Sequence, residues 1–284
     1  MQSHFFAWKL ALDRILPPTV DVYHDRDKSV KDFFSLQGKI AVVTGAGRGL
    51  GQGIALRLAA AGATVGVNDL DALACKRVVE RILKDDGRAF AMPGNVVDET
   101  TMTNLFGFVH TEFGGVDILV NNAGISVSED IFQMSIENWR NVLDINLLGA
   151  VIGSKLVLEQ MRNHGRGGRI IMIGSMVAHQ GAVRGWVHYG ASKSGLHGLG
   201  KTLARTAARF GVTVNNIAPG IIETELLQQS HGAEGVQQLL QQVPLARLGT
   251  PDDVAAAVHF LASSDAAYIT GATIDVTGGM YIRA

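Results

Sequence analysis

The 284-residue sequence contains a single cysteine, Cys75. No disulfide can form within the chain, which fits a reducing compartment and a cytoplasmic location. Cys75 falls in ALACKRVVERI, a helical pattern that announces no electropositive niche. A reactive thiolate needs such a niche, so a plain core thiol is the reading taken. Charge of one sign is missing as well. The 25 Lys and Arg and 26 Asp and Glu are scattered without a run of either sign. That excludes the basic stripe of a nucleic-acid binder. No unbroken apolar run reaches the ~18 residues that cross a bilayer, so no membrane partner is expected. The opening, MQSHFFAWKLALDRILPP, lacks the basic start, apolar block and small-residue cleavage site of a secretion signal. It reads as an extension that packs on the domain or on a neighbouring subunit. No His/Cys/Asp/Glu set has metal-ligand spacing, and no metal is expected in catalysis.

Apolar residues are abundant, at 47%, enough to bury a sizeable core. Residues 1–35 stand apart, with Pro17-Pro18 breaking the first helical pattern and a polar stretch following. From Leu36 the texture changes. Seven short apolar runs follow: KIAVVTG, ATVGVND, RAFAMPGNV, VDILVNNAG, GRIIMIGS, GVTVNNIAPG and ATIDVTGG. Helical patterns separate most of them. Strands that are apolar throughout, joined by helices, belong to a parallel sheet covered on both faces. The expectation is an α/β fold: one Rossmann-type, doubly wound domain over residues 36–284, with a mostly parallel seven-stranded sheet.

The first strand runs into TGAGRGLG, residues 44–51. Gly45, Gly49 and Gly51 space a turn that feeds a helix. Free backbone N–H groups and the positive helix end then face a pyrophosphate, and side chains would block its approach. The next strand ends at Asp69, 18 residues after Gly51. A carboxylate there suits the adenosine ribose and repels the 2′-phosphate of NADP. Arg48, inside the turn, is the opposing feature, because a guanidinium pairs with that phosphate. The expected cofactor is NAD in preference to NADP, and Asp69 also fits a plain helix N-cap.

Tyr189 and Lys193 lie four residues apart in YGASKSGLHGLGKTLARTAARFG, so one helix face carries both. A Tyr hydroxyl ordinarily titrates near ~10, and a nearby ammonium is expected to lower it toward useful acid/base behaviour. A surface Tyr and Lys at this spacing occur by chance in many proteins. Position adds weight: Ser175 ends the apolar run GRIIMIGS, at the sheet edge where open α/β sheets bind ligands. Asn146 lies in ENWRNVLDINLLGAVIGSKLVLEQM, on the face marked by Trp139, Leu143, Leu147 and Ala150. A buried amide there has either a structural partner or a water chain to hold.

Together these residues resemble the short-chain dehydrogenase/reductase family. The resemblance covers about residues 36–284 and rests on TGAGRGLG, NNAG (121–124), Asn146 in INLLG, Ser175, Tyr189-x-x-x-Lys193 and Pro219-Gly220. It implies a role for each position. Tyr189 exchanges a proton with the carbonyl or alcohol as hydride passes to or from the nicotinamide. Ser175 steadies the substrate oxygen. Lys193 binds the nicotinamide ribose and lowers the Tyr189 pKa. Asn146 holds a proton-relay water. Gly45, Arg48, Gly49, Leu50, Gly51 and Asp69 are expected at the cofactor, as are Asn122, Ala123 and Gly124. Pro219, Gly220, Ile222 and Thr224 embrace its nicotinamide end. Asn95-Val96 stands where the family often has Asp-Val, which alters any Asp side-chain contact to adenine. Within the family the chain is similar to the oxoacyl-carrier-protein reductase and sugar or polyol dehydrogenase branch, and FSLQGKIAVVTG, VND and GGM are similar to gluconate 5-dehydrogenase-like proteins. The resemblance also implies a homotetramer or homodimer.

The implied activity interconverts a secondary alcohol and a ketone, on a small molecule such as a sugar, polyol or hydroxy acid. One alternative is a 3-oxoacyl-thioester reductase using NADPH. Another, of a different class, is a dinucleotide-binding sensor or scaffold without turnover, which predicts a broken catalytic set. Substrate choice is expected in two stretches, Met176 to His188 and Ile221 to Leu248. His179, Arg184, Trp186 and His188 are the polar and aromatic candidates of the first. The second is long, polar and glycine-punctuated, like a mobile lid.

Overall fold

The computed structural model describes residues 34–182 and 185–282. Most of the expected extension and Arg184 therefore lie outside the described residues. Seven strands form one all-parallel sheet: β1 Ile40–Val43, β2 Thr64–Asp69, β3 Arg88–Pro93, β4 Ile118–Asn121, β5 Gly168–Ile173, β6 Val212–Pro219 and β7 Thr273–Val276. Their order is β3-β2-β1-β4-β5-β6-β7. This is the expected Rossmann-type α/β sheet, and each of the seven apolar runs supplies one strand.

The helices are α1 Gly49–Ala60, α2 Ala72–Lys84, α3 Glu99–Phe113, α4 Ile136–Leu143, α5 Gly149–His164, the short α6 Val177–Gln180, α7 Val187–Ala207, α8 Glu225–Leu240 and α9 Pro251–Ala262. Successive strand residues point to opposite faces, and both faces are apolar. In β1, Ala41 and Val43 join a core with Ile54, Leu58, Ile82, Val254 and Leu261, under α1, α2 and α9. Ile40 and Val42 join the opposite core with Met102, Phe106, Val157 and Leu196, under α3, α5 and α7. Each such fully buried aliphatic side chain stabilises by about 1.5–3 kcal/mol. Local signals set the helix starts: Asp71, Asp98, Ser135 and Thr224 cap α2, α3, α4 and α8, and Thr250 and Asp253 form a capping box behind Pro251 in α9.

Two expectations need correction. The segment ENWRNVLDINLLGAVIGSKLVLEQM, whose apolar stripe has helical spacing, does not form one continuous α-helix. α4 and α5 are joined by a π-helical turn, Asp144–Leu148, closed by the Gly149 N–H on the Asp144 carbonyl. The extra residue breaks the helical stripe: Val142, Asn146, Gly149 and Ala150 are buried, whereas Leu143 and Leu147 are only partly so. By length and mean hydropathy the stretch Ile136–His164 is also apolar enough to cross a membrane, although it contains no unbroken apolar run. Here it is a core helix, with Ile152, Val157 and Met161 packed against the sheet. Finally, residues expected as a long lid loop are partly ordered as α8, which Thr224 initiates and Gly232 kinks.

Phe34, assigned to the extension by composition, is tied to the domain. Its N–H donates to Asp265, its carbonyl lies 2.6 Å from the His259 ring, and its ring meets Phe260 edge-on.

Candidate active site

The strand order reverses between β1 and β4, and the crevice beyond their carboxyl ends is where open α/β sheets take ligands. The glycine turn after β1 and NNAG after β4 both open there. They are bonded to each other. The Thr44 hydroxyl accepts the Asn122 and Ala123 N–H groups, each at 3.0 Å. The Asn122 amide donates to the Thr44 and Gly45 carbonyls at 2.9 and 3.0 Å. The side chain of Asn122, expected along the cofactor, is thus committed to bracing the turn.

Backbone close approach explains the glycines. Gly45 and Gly49 have φ of +61° and +53°, where a Cβ is strained. A Cβ on Gly51 would collide with the Gly45 carbonyl and the Asn122 amide. One on Gly47 would lie 2.8 Å from Asp69 Oδ2. No side chain caps α1, in contrast to α2, α3, α4, α8 and α9, so its first N–H groups remain for an anion. The cradle fits a dinucleotide pyrophosphate. Leu50 sits in the first turn of this helix, partly buried. The Thr224 methyl lies 3.9 Å from where a Gly49 Cβ would be, which brings the start of α8 over the turn.

Asp69 ends β2 beside this cradle. Its Oδ2 accepts the Gly47 N–H at 2.9 Å and its Oδ1 the Asp71 N–H at 3.2 Å. The helix N-cap considered for Asp69 belongs instead to Asp71, which accepts from Leu73 and Ala74. Arg48 is exposed at the rim of the turn. Asn95 is also exposed and turns its side chain onto the Val97 N–H, whereas Val96 is buried against Gly149. Pro219 closes β6. Gly220 passes so near β7 that a Cβ would lie 2.9 Å from Thr277 Cα, and Ile222 bridges Gly249.

The second half of the site lies past β5. Ser175 follows the strand by two residues and is 8% exposed. Tyr189 occupies the first turn of α7 and interacts with the Ser175 hydroxyl. The Lys193 ammonium lies 5.6 Å from the centre of the Tyr189 ring and donates to the Ile173 carbonyl at 2.8 Å. The structure therefore brings Ser175, Tyr189 and Lys193 together. Burial moves their titrations. It pushes the Tyr189 phenol above its ordinary value, with Ser175 pulling the other way. It lowers Lys193 to about 8. This corrects the expectation of a Tyr189 lowered by Lys193. Burial disfavours the charged phenolate and is the larger cause, with the Ser175 hydroxyl acting against it.

Asn146 reaches the site through the π turn, a device that often marks functional positions. It is 1% exposed. Its Oδ1 accepts the Ile125 N–H at 2.8 Å, and its Nδ2 donates to the Ile125 carbonyl and Ser192 Oγ, each at 3.0 Å. Ser192 in turn donates to the Tyr189 carbonyl at 2.8 Å. Of the two options for a buried amide, structural partners are present. Asn146 Oδ1 and Lys193 Nζ both face Gly124, where a Cβ would lie 3.2 Å from the first and 3.5 Å from the second.

Sequence reasoning missed Thr44, Ser192 and Glu129. The first two are small hydroxyls whose importance lies only in contacts across the fold. Of the substrate-side candidates, His179 is paired with Asp275 at 3.2 Å and stacks on Tyr281. Trp186 meets the Tyr189 ring edge-on at 5.9 Å. His188 is fully buried. Cys75 is buried, and its thiol is pushed up to about 11, as a core thiol should be. Among the described residues no group of three His, Cys, Asp or Glu converges on a metal position.

A family model described as enoyl-(acyl carrier protein) reductase matches residues 45–281. The 3-oxoacyl-[acyl-carrier-protein] reductases FabG of Vibrio cholerae and Escherichia coli K12 are each 42% identical over 248 residues, 87% of this chain and 99% of theirs. A solved structure described as a candidate short-chain alcohol dehydrogenase from Sinorhizobium meliloti 1021 superposes with a TM-score of 0.83 at 35% identity, covering 87% of this chain and 98% of that one. The chain belongs to the short-chain dehydrogenase/reductase family. A further similar solved structure is described as a candidate 2-deoxy-D-gluconate 3-dehydrogenase from Agrobacterium tumefaciens with bound NADP. It is 38% identical, with a TM-score of 0.80 over 87% of this chain and 98% of that one. As a short-chain dehydrogenase/reductase, the chain is an NAD(P)-dependent oxidoreductase acting on CH–OH groups and their carbonyls.

Proposed function

We propose that the chain reduces the ketone of a 3-oxoacyl thioester to the secondary alcohol, with Tyr189 as the acid. The convergence of Ser175, Tyr189 and Lys193 at one sheet edge carries the acid/base assignment. The substrate class rests on the similarity to FabG proteins across nearly their whole length. A sugar acid or polyol is the second reading, supported by the likeness to the Agrobacterium dehydrogenase.

A bound nicotinamide dinucleotide supplies the hydride. The Ser175 hydroxyl holds the ketone oxygen and the Tyr189 phenol gives it a proton, so ketone, hydride and proton become the alcohol. A phenol raised by burial stays protonated at neutral pH, as an acid in the reductive direction must. Lys193, with a value of about 8, reloads that proton. Asn146 Oδ1, which accepts the Ile125 N–H and keeps a second lone pair, would hold the water that links Lys193 to solvent. Gly45, Gly49, Leu50, Gly51, Ala123 and Gly124 would line the dinucleotide, with Asn95, Val96, Pro219, Gly220, Ile222 and Thr224 around it.

The cofactor reading is NAD(H), because the Asp69 carboxylate lies against the turn where a 2′-phosphate would sit. NADP(H) is the second reading, favoured by exposed Arg48 and by the NADP in the Agrobacterium relative. Exposed Leu148, Val151 and Val187 on the π turn, α5 and α7 suit subunit packing, and a homotetramer or homodimer in the cytoplasm is the assembly proposed. Light scattering tests it, and a monomer of about 30 kDa removes it.

The test is a panel of 3-oxoacyl thioesters, sugar acids and polyols with each cofactor, followed at the nicotinamide absorbance. The highest kcat/KM is expected for a thioester. A preference of about tenfold for NADP(H) overturns the cofactor reading. Tyr189→Phe should abolish turnover and leave dinucleotide binding intact. A Tyr189→Phe variant that still turns over removes the mechanism.

A further inference from the structure

The loop after β4 approaches the backbone of Tyr189 by two routes, one hydrogen-bonded throughout and one open at 3.8 Å. One relay is described above: Ile125 binds Asn146, Asn146 binds Ser192, and Ser192 binds the Tyr189 carbonyl. A second runs to the Tyr189 N–H. His188 Nδ1 accepts that N–H at 3.0 Å, satisfying a donor that the first turn of α7 would otherwise leave open. Because Nδ1 accepts, a neutral His188 carries its proton on Nε2. His188 Nε2 faces Glu129 Oε2 at 3.8 Å, and both atoms are buried without a hydrogen bond. Glu129 Oε1 meanwhile accepts from the Asn138 amide of α4 at 2.6 Å. The same loop packs on the segment before α7: a Cβ on Gly185 would lie 3.0 Å from Ser128 Oγ and 3.2 Å from the Glu129 carbonyl oxygen.

We propose that Glu129 and His188 are positioning residues that fix the Tyr189 backbone and tie it to the loop bordering the substrate side. Glu129 is flanked by two donors, the Asn138 amide and His188 Nε2–H. Only a carboxylate offers an acceptor to each, whereas a Gln must turn an N–H toward one of them. The 3.8 Å separation is about 0.8 Å beyond a usual N–H···O length, the kind of slack that closes when a site is loaded. The proposal rests on the reading of Tyr189 as the acid.

Three variants separate the contacts. Glu129→Gln sets donor against donor. His188→Gln reaches Glu129 but loses the acceptor for the Tyr189 N–H. His188→Asn keeps that acceptor in place of Nδ1 and loses the reach to Glu129. Kinetics use NADH or NADPH, whichever the parent prefers, with its best 3-oxoacyl thioester. Glu129→Gln and His188→Gln should lower kcat about ten- to a hundredfold, the scale of a misplaced reacting group. KM and dinucleotide affinity should stay near the parent's. Amide exchange at Tyr189 should accelerate in His188→Gln and be restored in His188→Asn. Unchanged kcat and unchanged exchange overturn the proposal, and so does a parallel loss of kcat, dinucleotide affinity and melting temperature, which marks a purely structural role. If the parent turns over no thioester, the substrate reading fails, and the exchange comparison still decides this one.

Discussion

Asn146→Ala tests how far the site is built on one buried amide. The side chain is 1% exposed and makes three hydrogen bonds. Truncation leaves the Ile125 N–H, the Ile125 carbonyl and Ser192 Oγ without that partner. Ser192 keeps its bond to the Tyr189 carbonyl, so Ile125 bears most of the cost. An orphaned buried group costs about 1–3 kcal/mol, and water entering the vacated space returns part of it. The net expectation is ~2–4 kcal/mol of lost stability, or ~5–15 °C in melting temperature for a domain of this size. Urea unfolding at fixed protein concentration measures it, with the slope unchanged. Asn146→Asp separates polarity from volume, because one of its oxygens would face the Ile125 carbonyl. A loss under about 1 kcal/mol in both variants refutes the reasoning, since it would mean these bonds have no net worth.

Three further outcomes are expected. Gly51→Ala should reduce dinucleotide affinity by at least about a hundredfold, because its Cβ collides with the Gly45 carbonyl and forces the cradle open; titration of NADH fluorescence reads this, and near-parental affinity contradicts it. Lys193 falls from 10.5 to about 8 on burial, so between these values the unfolded chain holds a proton that the fold has released. Its contribution to stability therefore rises with pH, and unfolding free energies of the parent should gain up to about 3 kcal/mol on those of Lys193→Met from pH 7.5 to 10.5; a constant difference denies the shift. Cys75, buried and pushed up to about 11, should resist iodoacetamide at pH 7.5 in the native protein and react once unfolded, with mass spectrometry as the readout; rapid native labelling counts against it.

Much of the fold was legible because its causes are local. A strand covered by helices on both faces is apolar at nearly every position, and the runs IAVV, ILV and RIIMI show this directly. The glycine turn was legible because no other residue fits its backbone. The π turn was not, since an apolar pattern of helical period runs through 137–163 without a break. Its extra residue appears only where Asn146 meets Ile125 across the fold. Nor was the function of Asn122 legible. Its place in NNAG suggested the cofactor, and only the fold shows that its amide holds the turn.

The residue order by itself determined the seven strands, the cradle after the first of them, and the pairing of Tyr189 with Lys193 on one helix face. Periodicity and backbone sterics act over a few neighbouring residues, so these follow from adjacency in the chain. Tertiary structure alone decided which way the phenol titrates, what Asp69 binds, and how Asn146 and Ser192 hold the Tyr189 carbonyl. Those depend on desolvation and on hydrogen bonds between segments distant in the chain, quantities that exist only once the chain has closed on itself.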